Sequence, residues 1–101
     1  MIRHIVLFKF KEQADGKSKA ENVAATREML EALPAKIPQI LNSTTQTNLD
    51  GASTENADLI LISDFESLET LQEYLVHPDH KAVGAFMRPL RESRAGIDIS
   101  L

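Results

Sequence analysis

Three segments of this chain alternate with a period of two, and two of them place large apolar side chains on both faces. That combination limits the folds available. In residues 2–11, Ile2, His4, Val6, Phe8 and Phe10 fall on one side, and Arg3, Ile5, Leu7, Lys9 and Lys11 on the other. Residues 58–65 repeat the pattern, with Leu59, Leu61, Ser63 and Phe65 opposed to Asp58, Ile60, Ile62 and Asp64. Residues 95–101 set Ile97, Ile99 and Leu101 against Gly96, Asp98 and Ser100. Successive side chains of a strand point to opposite faces, so these are strands of a sheet that needs a cover on each side.

Between them the pattern turns helical. Ser18 is the expected N-cap of a helix running to about Leu33, with Val23, Leu30 and Leu33 inward, and Pro34 and Pro38 end it. Residues 39–49 are Thr-rich and read as a polar strand, followed by a loop over 50–57. Ser67 caps a helix over 67–75, with Leu68, Leu71 and Leu75 inward and Tyr74 beside Leu71. Pro78 disfavours helix at His77 but suits a first helical position, so a new helix starts there, with His80, Val83, Met87 and Leu90 on one face.

The order strand, helix, strand, strand, helices, strand predicts an α+β, ferredoxin-like βαββαβ fold with an antiparallel four-stranded sheet. At 101 residues it is read as one domain, 1–101. Its helices cover one face only. The other leaves Ile5, Leu7, Leu41, Ile60, Ile62, Ile97 and Ile99 open, a patch that predicts a homodimer closed through the open sheet face.

Composition removes several function classes. A net charge of −4 supplies no basic face for nucleic acid, and no window approaches the roughly 20 apolar residues of a membrane span. The N-terminal residues alternate and do not resemble a secretory signal. Zero cysteines exclude disulfides, thiolate nucleophiles and zinc-thiolate sites, and the expected location is cytoplasmic. No cofactor and no metal are expected. His77 and His80 are three apart, but the break at Pro78 separates them.

The densest chemistry is in "YLVHPDHKAV", residues 74–83, which holds the only tyrosine and two of the three histidines. Imidazole titrates near neutral pH, which suits His80 as a base beside a carbonyl, and the Tyr74 phenol suits hydrogen-bond donation to a developing enolate. His4 shares the helix-facing side of its strand with Val6 and Phe8 and is expected to reach the same cavity. Arg88, Arg91 and Arg94 form the densest positive run, suited either to an anionic ligand or to surface salt bridges with Glu92 and other acids. Asp98 is placed to partner an arginine or His4. The same residues also have a purely structural reading. Tyr74 is then a core aromatic, His77 a helix C-terminal residue, and His80 a half-buried ring tied to a backbone carbonyl.

The segments "IRHIVLFKFK", "LEALPAKIP", "LILISDFESLETLQEYLVHPDH" and "MRPLRESRAGIDIS", in this order, resemble the stress-responsive dimeric α/β-barrel domain family. The resemblance implies the ferredoxin-like unit paired into a dimeric α/β barrel. One plant branch of that family comprises polyketide cyclases, in which a histidine and a tyrosine promote aldol condensation in a pocket between sheet and helices. By that resemblance the catalytic positions are Tyr74, His80 and His4. The expected ligand-binding positions are Val6, Phe8, Arg27, Leu61, His77, Arg91, Arg94 and Asp98. The chain departs from the cyclase branch in its lining, expected to include the polar residues Asn22, Thr26, Arg27, Arg91 and Arg94, with Asn42, Thr44 and Gln46 from the second strand. That lining is unsuited to a long alkyl chain.

Three functions therefore stand open. One is a small-molecule binding protein or enzyme acting on a carbonyl or anionic metabolite, of lyase or cyclase type. The second is a non-catalytic structural or stress-associated dimer, and the third a cofactor-independent monooxygenase of the dimeric barrel type.

Overall fold

The computed structural model describes all residues, Met1–Leu101. Its elements are β1 (Ile2–Phe10), a short hairpin of β2 (Gln13–Ala14) and β3 (Lys17–Ser18), α1 (Lys19–Ala32) with a 3-10 turn at Leu33–Ala35, β4 (Asn42–Thr47), β5 (Leu59–Phe65), α2 (Leu68–Leu75), α3 (Pro78–Met87) and β6 (Arg91–Ser100). The main sheet runs β4-β5-β1-β6, with every neighbour antiparallel. This is the ferredoxin-like α+β arrangement, decorated by one hairpin. No helix is long and apolar enough to cross a membrane.

Local chemistry sets the boundaries. Asp15 and Gly16 both take positive φ, 54° and 74°, as a two-residue hairpin turn between twisted strands requires. Ser18 accepts from the Glu21 amide while Glu21 reaches back to the Ser18 amide, a capping box that starts α1. Ser67 and Thr70 repeat the device at α2. At the break before α3, His77 is an N-cap in extended geometry, its Nδ1 accepting from the Asp79 amide at 3.1 Å, and Pro78 takes the first helical position.

Antiparallel register assigns the faces. His4, Val6 and Phe8 lie opposite Ser63, Leu61 and Leu59 on β5, and all six are buried beneath the helices. On the reverse face Ile5, Ile60 and Ile62 are half-buried, and Leu7, Ile97 and Ile99 are exposed. The helices sit over β1, β4 and β5 but leave β6 open, since only Arg91 among its ten residues is even half-buried. A strip of sheet beside the buried β1 thus remains accessible from the helix side.

Two expectations about placement are corrected. The last strand begins at Arg91, so Arg91 and Arg94 belong to β6. They share a face through a β-bulge near Lys9 and Phe10, which sets Arg94 opposite Phe8 and Arg91 opposite Phe10. Asn42, Thr44 and Gln46 lie opposite Asp64, Ile62 and Ile60, on the side away from the helices, and the inward residues of β4 are Ser43 and Thr45. Ile40 is buried and Leu41 exposed, but both precede the strand, so the alternation does not carry from them into β4.

Candidate functional site

Tyr74 ends α2 on its buried side because Leu71 and Tyr74 are three apart on one helical face. It is 1 % exposed, packed against Phe65 with ring centroids 4.9 Å apart. Its hydroxyl has no hydrogen-bond partner within the chain, and Gln39 Oε1 is the only sealed side-chain polar atom left without one. The phenol oxygen is therefore not wholly sealed and stands at the edge of the core. Burial, against the opposing charge of Arg94, pushes the Tyr74 hydroxyl up to about 12, so it remains a donor across the neutral range.

His80, on the first turn of α3, places its ring 4.5 Å from that of Tyr74. Its Nδ1 lies 3.1 Å from the Leu75 carbonyl oxygen, across the break. A carbonyl only accepts, so Nδ1 carries the hydrogen and Nε2 keeps its lone pair, with no partner in the chain. Burial holds the His80 imidazole below its ordinary value, opposed by the Leu75 bond and assisted by His4, Arg94 and His77. The result is a neutral ring with a free basic nitrogen beside a phenolic donor.

His4 is buried on β1, its ring edge-on to Tyr74 at 6.2 Å and to Phe65 at 6.3 Å. Its Nδ1 meets Asp98 Oδ1 on the neighbouring strand at 2.5 Å, where register sets the two residues opposite each other. The carboxylate fixes the ring's tautomer and leaves Nε2 as the second imidazole nitrogen without a partner. Asp98 pairs with His4 and with no arginine.

Arg94 is the cation of this strip. Its guanidinium folds back over Gly96, 3.3 to 3.6 Å from where a Cβ at that residue would stand. Neither it nor Arg88 nor Arg91 forms a salt bridge, so the expected pairing with Glu92 and other surface acids is not made. Gly96 is a residue that sequence reasoning missed. Its signal was a glycine inside an alternating strand, which marks a close approach.

The remaining candidates are dispersed. Val6, Phe8 and Leu61 are core residues, Val6 and Phe8 flanking the strip from below. His77 is a helix cap, its Nδ1 already engaged by the Asp79 amide. Asn22 and Thr26 are buried and satisfied, bonding the Ala14 and Asn22 carbonyls. Arg27 bonds Glu31 and Thr45 over β4, the sheet edge opposite β6. There it borders an open cleft of about 860 Å³ between α1 and the β4–β5 loop, which Tyr74, His80 and His4 do not line.

Comparison with known proteins follows the same division between fold and chemistry. Residues 2–101 match the stress responsive A/B barrel domain family. Among curated relatives, the olivetolic acid cyclase of Cannabis sativa is 28 % identical over 92 residues, spanning 90 % of this chain and 87 % of the relative. Among solved structures, a dimeric ferredoxin-like protein of unknown function from Bacteroides fragilis NCTC 9343 is 33 % identical with a TM-score of 0.87, covering 99 % of this chain and 95 % of its own. A dimeric ferredoxin-like protein of unknown function from Thermobifida fusca YX is 30 % identical with a TM-score of 0.83, at 99 % and 90 % coverage.

Proposed function

The chain belongs to the stress responsive A/B barrel domain family, and from that premise we propose that it is a homodimeric protein that binds a small carbonyl compound and enolises it at Tyr74 and His80. The observation carrying this reading is that the rings of Tyr74 and His80 lie 4.5 Å apart, each with a polar atom, the Tyr74 hydroxyl and His80 Nε2, that has no partner in the chain.

The step is a proton transfer. His80 Nε2 removes a proton from the carbon next to the carbonyl, the C–H electron pair becomes the enolate C=C bond, and the carbonyl oxygen takes the negative charge. Tyr74 donates a hydrogen bond to that oxygen, and the imidazolium returns the proton to product. His4, oriented by Asp98, offers a second imidazole to the same strip. The dimer would cover the apolar sheet face and leave the helix side of β6 open to ligand; the solved relatives described as dimeric support the pairing.

The test is a thermal-shift screen of carbonyl compounds against the wild type, His80→Ala and Tyr74→Phe. A compound that stabilises the wild type but neither variant supports the reading. If every compound that binds shifts all three proteins equally, the site lies elsewhere and the structural reading of Tyr74 and His80 takes its place.

A further inference from the structure

On the helix-facing side of β6, three positions stand in a row, Arg94, Gly96 and Asp98, opposite Phe8, Val6 and His4 of β1. Alternate residues of a strand are about 6.6–7 Å apart. An extended arginine at residue 94 would reach away into solvent. Instead its guanidinium lies on Gly96, with Nη1 3.3 Å and Nη2 3.4 Å from the position a Cβ would occupy. The side chain is thus turned along the strand toward Asp98, in a seat that a β-carbon at residue 96 would tighten and a branched side chain would fill.

The nearest carboxylate on that path is not paired with it. Asp98 gives one oxygen to His4 and makes no ion pair with Arg94. A guanidinium laid on backbone, with its donors unpaired and no ion pair to the neighbouring acid, fits a carboxylate in fork geometry. Its charge also acts on both Tyr74 and His80, which places it within range of the reactive pair.

We propose that Arg94, seated on Gly96, is the carboxylate anchor of this site, and that its substrates are small keto acids rather than neutral carbonyl compounds. The carbonyl half of this statement rests on the enolisation reading; the carboxylate half stands on Arg94 and Gly96 alone. Arg94 is a binding residue and Gly96 a specificity-determining one, since a branched side chain there would take the space that the guanidinium occupies.

The experiment is an NMR titration of the isotope-labelled protein with acetoacetate, its neutral methyl ester, and propionate, which has the carboxylate but no ketone. Wild type, Arg94→Gln and Gly96→Val are compared. Valine suits an edge strand, and Arg94→Gln leaves the backbone untouched. Acetoacetate is expected to bind the wild type about tenfold or more tighter than the ester, a margin that one charge-assisted pair supplies. Both variants are expected to abolish the difference. Equal binding of acid and ester by the wild type overturns the proposal and leaves enolisation standing. Arg94-dependent binding of propionate as tight as that of acetoacetate upholds the anchor and removes the carbonyl reading. Binding of none of the three overturns both.

Discussion

The rings of Tyr74 and His80 lie 4.5 Å apart at an interplanar angle of 58°, joined across a helix break by the bond from His80 Nδ1 to the Leu75 carbonyl. Tyr74 belongs to the end of one helix and His80 to the start of the next, so Pro78 creates the pairing. A continuous helix would set residues six apart on different faces.

Tyr74→Phe separates packing from chemistry. The hydroxyl has no partner in the chain, so its loss is expected to change unfolding stability by less than about 1 kcal/mol. Loss of the one donor to the enolate oxygen is expected to slow exchange of the substrate α-proton by about 100-fold. Denaturant unfolding and deuterium incorporation measure the two effects. A large stability loss with unchanged exchange would reduce Tyr74 to a core aromatic.

The pH dependence follows from His80. Burial lowers its folded pKa below the unfolded value, so the unfolded chain takes up a proton where the folded one does not. The stability it contributes is complete above the unfolded value of about 6.5 and is lost as pH falls from there through the folded pKa. Exchange of the substrate proton is expected to rise with pH through that same lowered pKa, then hold level until Tyr74 titrates. Following the His80 ring protons by NMR locates the midpoint, and one at or above 6.5 contradicts the buried, neutral ring.

Asp98→Ala frees the His4 ring. The nitrogen chemical shifts of His4 are expected to change from a single tautomer to a mixture, with a loss of about tenfold in exchange rate, as for removal of a second partner from a catalytic or ligating histidine. An unchanged tautomer would mean that the β1–β6 contact is incidental.

The reverse face of the sheet tests the dimer. Leu7 and Ile97 are 41 % and 60 % exposed and sit among the half-buried Ile5, Ile60 and Ile62. Leu7→Lys with Ile97→Lys places charge within an apolar interface and is expected to convert dimer to monomer in sedimentation velocity, since uncompensated charge there costs several kcal/mol. A wild type that sediments as a monomer at micromolar concentration would remove the sheet face as an interface.

The sequence by itself determined the order of the main elements, though not the β2–β3 hairpin, together with the caps at Ser18 and Ser67, the break at Pro78, and the two-sided apolar character of β1 and β5. All of these are local, carried by period two, by capping chemistry and by proline geometry. It also placed His4 on the helix side, because β1 alternates without interruption as far as Phe8. Tertiary structure decided the rest. The face of Asn42, Thr44 and Gln46 depends on where β4 starts, and one residue of slip reverses every side chain. The common face of Arg91 and Arg94 depends on a bulge set by pairing with Lys9 and Phe10. Arg27 and Arg94 look alike in sequence, yet they stand over opposite edges of the sheet because strand order is a long-range property. The partnership of Asp98 with His4, ninety-four residues away in the chain, exists only once β1 and β6 are neighbours in register.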